Sequence, residues 1–506
     1  MRPALRLFAT VFVLMLIIVG NRAAIGQQTT EENQQAIVDL PVNQATHYQG
    51  EEYLLMGSAV RGAGEPVIAI SPKDPNILIV GAMANDNYVE GAPLGKGNER
   101  ISVASRVNYR NTPGASISEY AISYDRGRTW KFFFDPFRDY FKMNGTADAF
   151  VGTGKDGTLF IGAMNFFPQH ASPLMLQLEK EPNPGLLYGN TDIAWSSDNA
   201  KTWSTPEHVM GQATPQQEYG PGVTPHFLGK TPYDRPFLIT DQSTGTIYVP
   251  GNGSGGDPVH RETFIRGSQD NGKTWGLVYA YDSTDYPQGG MAARPAAANG
   301  VLGIAYVASS APSGKCPCVV FGVSRDEGKS FDRHIVEENT FVPRGFGGMG
   351  SPALAADPSH PGRFAVMTLS QGDAGMQVYV TDDYGKTWKG PVQAGSVPGK
   401  TMSKPDIGYS PQGALAVMWL AVDPEDGAYT AWSNASRDGG LTFGKQIQVS
   451  EAPSPSRASI KYRGNNWDGD DLSSIAVDND YVHIVWADGR AGFLGAWYAR
   501  IPLASY

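Results

Sequence analysis

The chain has 506 residues, of which 60 are glycine and 36 are proline, and it carries a formal net charge of −10. This charge argues against nucleic acid as a partner, because binding phosphates requires a basic surface. The many turn residues, together with 11% aromatic residues, predict numerous short strands rather than long helices.

The N-terminal segment has the features of a secretory signal. Arg2 and Arg6 give it a basic start, residues 7–20 are almost uninterruptedly apolar, and the small residues Ala24 and Gly26 follow at a spacing that signal peptidase accepts. The apolar run is short for a membrane span, and no later segment is apolar enough to cross a bilayer. We expect residues 1–26 to be a signal peptide and the mature protein to be secreted or periplasmic; an uncleaved anchor is the alternative.

A short pattern, Ser/Thr-x-Asp-x-Gly-x-Thr/Ser-Trp/Phe, occurs six times along the chain, and we call each copy a box. The aspartate of a box is expected to accept hydrogen bonds from the amides of a tight hairpin turn, while the glycine supplies a positive φ. The second box departs at the glycine position, where it has Ala200. We expect all six aspartates to be structural: Asp125, Asp198, Asp270, Asp326, Asp383 and Asp438.

A second repeat, made of two apolar strands joined by a polar turn, alternates with the boxes. Its seven copies begin near Val67, Ala149, Phe237, Ala296, Ala353, Ile407 and Leu472. Near-continuous hydrophobicity suits strands that are buried on both faces, as the inner strands of a propeller are. One such hairpin and one box make a four-stranded blade, so the sequence predicts an all-β fold, a β-propeller with seven four-stranded blades.

The seventh blade has no box, and the residues after its inner hairpin suffice for about one more strand. We expect the missing strand to come from the N-terminal segment, near residues 45–56, because closing the ring removes exposed sheet edges. Residues 27–506 would then form a single propeller domain. The segments 86–118 and 166–188 are too long for plain turns and are expected to be rim loops, where function tends to reside.

The two cysteines, Cys316 and Cys318, flank Pro317. A disulfide between such close neighbours would be strained, and two ligands do not make a zinc site. We therefore interpret the pair as structurally incidental.

The six boxes resemble the Asp boxes, or BNR repeats, of the sialidase superfamily, and the resemblance covers nearly the whole mature chain. The stretch Asp470-Asp471-Leu-Ser-Ser-Ile-Ala and the later His483-Ile-Val-Trp486-Ala-Asp488-Gly-Arg490 are similar to the ends of secreted bacterial sialidase-like proteins. Such proteins are mostly exo-acting sialidases or relatives that act on other glycans. Propellers with these boxes also include endo-glucanases, polysaccharide lyases and non-catalytic receptors or assembly factors, so the boxes specify the fold strongly and the chemistry weakly.

Two features depart from the sialidase pattern. Sialidases have six blades, which leaves a six-bladed fold as the alternative. They also carry Arg-Ile-Pro before the first blade, where this chain has Arg61-Gly-Ala-Gly-Glu65-Pro66. Neither a Tyr–Glu nucleophile pair nor an acid/base aspartate is assigned by motif, so the sequence does not name the sugar.

In a propeller, the segment leading into each inner strand opens onto one mouth of the central channel. The residues at these positions are highly charged for neighbours of apolar strands: Glu65, Asp148, Asp234 with Arg235, Arg294, Ser351, Lys404 with Asp406, and Asp470 with Asp471. A purely structural protein would more readily place Ser, Thr or Asn there. We therefore predict a functional site at this mouth.

The charged residues suggest two kinds of role. Arg235 and Arg294, together with Arg61, are candidates to clamp a sugar carboxylate by bidentate hydrogen bonds, and Lys404 is a further candidate for substrate binding. Any two carboxyl groups about 5–10 Å apart could divide the acid and the nucleophile or base roles of glycoside cleavage. The catalytic candidates are Glu65, Asp148, Asp234, Asp471 and His226, the last as a base for β-elimination from a uronate.

Structural interpretations stand beside these roles. Arg235 and Arg294 each precede a proline and could simply bridge to a carboxylate of a neighbouring blade, and Asp148 and Asp234 could cap turns. His483 lies inside an apolar strand and is expected to be a core residue. We expect no cofactor; the alternative for Asp470 and Asp471 is a structural calcium site.

The sequence thus favours an exported carbohydrate-active enzyme, an exo-glycosidase acting on an acidic glycan at the propeller mouth. The alternatives are a polysaccharide lyase that acts on a uronate-containing glycan, and a non-catalytic propeller that binds glycan or protein or assists assembly. The oligomeric state is not predicted.

Overall fold

The computed structural model describes residues 52–58, 61–86, 117–134, 136–137, 140, 145–166, 189–211, 220, 235–254, 261–281, 284–289, 294–340, 352–370, 375–455 and 472–506. Its strands in chain order are β1 (Glu52–Met56), β2 (Arg61–Ile70), β3 (Leu78–Asp86), β4 (Ile117–Ser123), β5 (Lys131–Phe134), β6 (Gly145–Thr153), β7 (Leu159–Phe166), β8 (Gly189–Ser196), β9 (Glu207–Gly211), β10 (Ile239–Thr240), β11 (Ile247–Ser254), β12 (Arg261–Ser268), β13 (Val278–Ala280), β14 (Ala296–Ala298), β15 (Val301–Ala308), β16 (Cys318–Ser324), β17 (Asp332–Glu337), β18 (Ala353–Ala356), β19 (Phe364–Leu369), β20 (Met376–Thr381), β21 (Lys389–Gly395), β22 (Thr401–Tyr409), β23 (Leu415–Val422), β24 (Tyr429–Ser436), β25 (Ile447–Gln448), β26 (Ser474–Val477), β27 (Tyr481–Asp488) and β28 (Gly495–Pro502). A short 3-10 turn, Leu503–Ser505, follows the last strand.

These strands form seven antiparallel four-stranded sheets, so the prediction of a seven-bladed all-β propeller is confirmed and the six-bladed alternative is wrong. The first six sheets take four consecutive strands each, beginning with β2–β5 and ending with β22–β25, and the seventh has the order β1-β28-β27-β26. The inner strands are β2, β6, β10, β14, β18, β22 and β26. Each inner strand contacts the next, and β26 contacts β2, which closes the ring.

The outermost strand of the seventh blade comes from the other end of the chain. Strand β1 pairs with β28, with Glu52 opposite Ala499. Arg490 fastens this strand: its guanidinium donates to Glu52 at 2.8 Å, contacts Asp488 at 2.8 Å and lies 4.1 Å from the centre of the Trp497 ring. The ring is therefore closed both by backbone pairing and by a buried ionic contact.

Each box forms the expected turn. In the first box, the Thr129 backbone N–H donates to Asp125 Oδ1 at 2.8 Å, the Thr129 hydroxyl donates to Oδ2 at 2.7 Å, and the Gly127 N–H donates to the Ser123 hydroxyl at 2.8 Å. The other five boxes repeat these three contacts. Both carboxylate oxygens of each box aspartate are thereby engaged within the turn.

Consecutive blades are joined by the aromatic residues of the boxes. Trp130 is buried, and its indole N–H donates to the hydroxyl of Tyr53 on β1 at 2.6 Å. Trp388 of the fifth blade packs edge-on against Phe321 of the fourth, with 5.4 Å between the ring centroids. The aromatic position of the box thus serves packing between blades.

Two interpretations of single residues can be compared with the structure. His483 is fully buried and contacts the Tyr498 hydroxyl at 2.8 Å and Asp478 Oδ2 at 3.1 Å, as a core residue does. Cys316 and Cys318 are joined by a disulfide, so the interpretation of this pair as incidental is wrong. The bond bridges the residues on either side of Pro317, where the connection from β15 enters β16.

Several sequence-based expectations lie outside the described residues. They include the signal peptide and most of the two long segments expected to be rim loops. Within the part of the chain that the structure describes, no helix has the length and apolar character needed to span a membrane.

Candidate functional site

The inner strands surround a central channel with a volume of about 210 Å³. Most of the residues that line it are apolar, among them Val67, Val151, Phe237 and Leu354, while Arg294 lies at the end where the inner strands begin. Because the strands of a blade alternate in direction, the box turns all lie at the opposite end. The mouth and the boxes therefore occupy different faces of the propeller.

The structure describes only part of the predicted ring of charges. Glu65, Asp148, Arg235, Arg294 and Lys404 are described, as is Asp406. Arg61 lies in β2, but its side chain is not described. Four further candidates, together with Ser351, lie outside the described residues: Asp234, Asp470, Asp471 and His226.

Four of the charged residues at the mouth have a left-handed backbone. The φ angles are +51° at Glu65, +47° at Asp148, +57° at Arg235 and +48° at Lys404. A residue with a Cβ pays about 1–2 kcal/mol for this conformation, and in Glu65, Arg235 and Lys404 a following proline further disfavours helical angles. Glycine would be the unstrained residue at each position.

Three of these residues sit at irregularities in the inner strands. The pairing register shifts between Gly64 and Val67 in β2, between Ala147 and Phe150 in β6, and between Ser403 and Asp406 in β22. Such bulges redirect a side chain, and they are common beside functional sites. A charged side chain kept at a strained position in several blades indicates that the side chain is needed there.

The first cluster at the mouth joins blades one to three through Arg235. Its guanidinium Nη1 lies 3.8 Å from Glu65 Oε2, and its backbone N–H donates to Asp148 Oδ2 at 3.0 Å. Arg235 and Glu65 are both buried, whereas Asp148 is half-buried. The second carboxylate oxygen of Asp148 accepts no hydrogen bond from any described residue, so this carboxyl is the more accessible of the two.

The second cluster crosses the channel mouth. Arg294, which leads into the fourth blade, donates from Nη2 to both oxygens of Asp406 in the sixth blade, at 3.1 and 3.0 Å. Its Nη1 donates to the Ser474 hydroxyl of the seventh blade at 3.3 Å. Asp406 Oδ2 also accepts the backbone N–H of Ile475 at 2.9 Å. Arg294 therefore ties together inner strands that are not neighbours in the ring.

Burial dominates the electrostatics of Asp406. Removal from water raises the pKa of this carboxyl above the usual aspartate value, although the Arg294 charge and the Ile475 N–H act in the opposite direction. Asp406 is thus closer to neutrality than an exposed aspartate would be.

Arg294 retains hydrogen-bonding capacity. A guanidinium has five N–H donors, and the contacts to Asp406 and Ser474 leave the Nε–H and one Nη1–H of Arg294 without an acceptor among the described residues. About a quarter of its side chain (23%) is accessible. The two donors lie on different edges of the guanidinium, so each can bind one oxygen of an oxyanion such as a carboxylate by a charge-assisted hydrogen bond.

Sequence reasoning gave no role to Asp406 and missed Ser474. One signal was available: Glu65, Arg235, Arg294 and Lys404 each precede a proline. Proline lacks an N–H and is tolerated at the start of a strand or on a sheet edge, and inner strands present such an edge to the channel. The recurring X-Pro pair therefore marks the position at the mouth where the chain enters an inner strand.

No group of three or more metal-ligating side chains occurs among the residues that the structure describes. The calcium alternative for Asp470 and Asp471 stays a prediction, because both residues lie outside these ranges.

The chain matches no protein-family model and no curated protein. Among solved structures it is similar to a Dyadobacter fermentans protein of unknown function (15% identity, TM-score 0.44, covering 77% of this chain and 98% of that one). It is also similar to the Hadza microbial sialidase Hz136 (13% identity, TM-score 0.45, covering 92% of this chain and 100% of that one). A third similar structure is Trypanosoma rangeli sialidase (13% identity, TM-score 0.41, covering 79% of this chain and 60% of that one). At these identities the similarity concerns the fold alone, and it assigns no chemistry.

Proposed function

We propose that the protein is an exported glycosidase that acts on an acidic glycan at the channel mouth. The observation that supports this best is Arg294, a partly accessible arginine at the mouth with two N–H donors that have no acceptor among the described residues. Charged side chains held in left-handed conformations surround the same opening. Together they form a polar site that the fold itself does not require.

The arginines would recognise the acidic group of the substrate. Arg294 offers charge-assisted N–H donors to a carboxylate, and a guanidinium binds a carboxylate with more directional strength than an ammonium group does. Arg61 and Lys404 are proposed to contact the same ligand from the first and sixth blades. A neutral sugar could offer Arg294 only uncharged oxygen acceptors, which form weaker hydrogen bonds than a carboxylate does.

The carboxyl groups of the first cluster would carry the bond cleavage. Asp148 is proposed as the acid/base, because it is only half-buried and one of its oxygens is fixed by the Arg235 N–H. Glu65 is proposed as the second carboxyl, held against the same arginine. Asp234, which directly precedes Arg235, and Asp471 and His226 stay candidates for the same machinery.

The test is a product screen with the purified protein. Sialosides, uronate-containing glycans and neutral polysaccharides are incubated with the protein, and the products are read by mass spectrometry. Hydrolysis adds the mass of water, whereas β-elimination does not, so one measurement separates a glycosidase from the lyase alternative. We expect products that contain water from an acidic glycan.

Variants connect the activity with the mouth. Asp148→Asn is expected to abolish turnover while leaving the denaturation midpoint little changed. Arg294→Ala is also expected to abolish turnover, but it should lower the midpoint, because it leaves the buried Asp406 carboxylate without its arginine. Lys386→Ala, at an exposed box position on the opposite face, is the matched control and should retain full activity. Wild-type turnover in both mouth variants would place the active site elsewhere, and no turnover of any glycan would favour the non-catalytic alternative.

A further inference from the structure

We propose that binding of a carboxylate at Arg294 is coupled to the uptake of one proton by Asp406, so that the site holds acidic glycans more strongly as the pH falls. The inference rests on the proposed function only in taking the ligand to be an acidic glycan at the mouth.

The positive charge of Arg294 is already shared with one carboxylate, that of Asp406. Asp406 occupies its Nη2 through both carboxylate oxygens, so a ligand carboxylate would bind through a single remaining N–H donor of the guanidinium, at Nε or at Nη1. Two carboxylates would then share one positive charge. Since Asp406 is only 8% exposed, little water is available to screen their repulsion. Protonation of one carboxyl removes this repulsion.

The second step identifies which carboxyl takes the proton. Asp406 is fixed by the Ile475 N–H and cannot move away from Arg294 without leaving that donor buried and unsatisfied. A ligand carboxylate at the accessible side of the guanidinium keeps some contact with water. The more deeply buried group therefore becomes neutral first.

The surroundings of Asp406 contain few other charges. The packed strands β18, β23 and β26 contribute no ionisable side chain, as their sequences show. Arg294 approaches from the start of the fourth blade, and Lys404 lies on the same strand two residues before Asp406. Among the described residues, Arg294 is the only charged side chain that shifts the pKa of Asp406 appreciably, and burial outweighs it.

The protein already contains a buried arginine shared by two carboxylates. Arg490 contacts both Glu52 and Asp488. Burial, together with the nearby charge of Asp488, raises the pKa of Glu52 even though Arg490 opposes this shift. The ligand-bound site would reproduce this arrangement, with the ligand as the second carboxylate.

The sign of the pH dependence follows from linkage. A second carboxylate raises the pKa of Asp406 above its value in the free protein, so binding takes up a proton at any pH between the two values. Across that window the Kd rises with pH by up to about tenfold per pH unit. Below the window the Kd is constant, because Asp406 is already neutral.

The test is isothermal calorimetry on the whole protein with two probes, the methyl α-glycoside of N-acetylneuraminic acid and D-glucuronate. Titrations run between about pH 4 and pH 8, in two buffers with different ionisation enthalpies, so that proton uptake is measured directly. We expect at least one probe to bind with about tenfold weaker Kd at the upper end of the range and with up to one proton taken up. The methyl ester of the bound probe should lose this dependence.

Asp406→Asn is the diagnostic variant, because asparagine preserves the shape and leaves Arg294 its full charge. It should bind the probe with a Kd that does not change with pH. Asp382→Asn, which removes a carboxylate from the Arg363 pair on the opposite face, should keep the wild-type profile. The wild-type proton count does not depend on how well either variant folds.

Each outcome decides a separate question. Probe binding with a constant Kd and no proton uptake, or an unchanged pH profile in Asp406→Asn, overturns the inference and leaves the proposed function standing. Absence of binding by either probe, in the wild type and in Asp406→Asn at every pH, overturns the acidic ligand and the inference together.

Discussion

Backbone strain at the mouth predicts an unusual order of stabilities at Lys404. We expect Lys404→Gly to be more stable than Lys404→Ala, because both remove the side chain and only glycine accepts φ = +48° without cost. The left-handed conformation destabilises the alanine variant by about 1–2 kcal/mol. The greater conformational freedom of glycine in the unfolded chain destabilises the glycine variant by about 0.4–1 kcal/mol. The net preference for glycine is therefore about 0.5–1 kcal/mol.

Urea denaturation followed by tryptophan fluorescence measures this difference as a shift of the midpoint. The matched control is Gln448, an exposed residue of β25 outside the left-handed set. There glycine should be less stable than alanine by about 0.5–1 kcal/mol. Both Lys404 variants should lose ligand binding equally, since neither has the ammonium group. If alanine is at least as stable as glycine at Lys404, then the argument from strained charged residues to a functional mouth fails.

Three further predictions concern the ring and its boxes. Ala200, whose φ is +61°, should gain about 0.5–1 kcal/mol of stability when changed to glycine, with activity unchanged because it lies on the face opposite the mouth; urea midpoints and turnover measured side by side check this. Arg490→Ala should cost about 3–5 kcal/mol because it leaves two buried carboxylates unpaired, and limited proteolysis should then cut near β1 faster than in the wild type; equal cleavage rates would contradict the role of Arg490 in ring closure. In acid, the boxes should stay intact well below the usual pKa of aspartate: burial opposes ionisation at three box aspartates and is the largest single influence at two of them, but hydrogen bonds from Thr and Ser together outweigh it and lower the pKa to about 2. These three aspartates are Asp198, Asp383 and Asp438. A carboxyl whose pKa is lower in the folded than in the unfolded protein stabilises the fold at every pH above its unfolded pKa, so these contributions to the free energy of unfolding should be constant above about pH 4 and be lost between about pH 4 and pH 2. Circular dichroism at fixed temperature can show this.

The blade count was predictable because each repeat carries its own local signals. A box contains a turn aspartate, a residue with positive φ and a packing aromatic within eight positions. Each of the six copies therefore predicts its own turn, independently of the other five. The position of the mouth followed from the alternation of strand direction. These properties depend on neighbours in sequence, so the chain displays them directly.

The contacts within the mouth were not predictable in the same way. Arg294 and Asp406 are 112 positions apart, and their pairing depends on the width of the channel and on the bulge before Asp406. No sequence signal distinguishes a lysine or glutamate with a left-handed backbone from one in an ordinary strand, since glycine is the usual marker of that conformation. The disulfide between Cys316 and Cys318 was missed for a related reason: spacing alone argues against it, and only the local path of the chain brings the sulfurs together.

A comparison among the arginines of this protein separates structural ion pairs from the proposed site. Arg490, Arg363 and Arg126 each contact two carboxylates of the chain, and the last two lie at the box face, where they join turns. Arg294 contacts one carboxylate and a hydroxyl, and it lies at the mouth. If Arg294 served only to hold blades together, a second acid from the surrounding strands would be the economical partner, as it is for the other three. Among the residues that the structure describes, no second acid contacts Arg294, whose side chain is 23% accessible, so an acidic ligand would complete the same two-carboxylate arrangement.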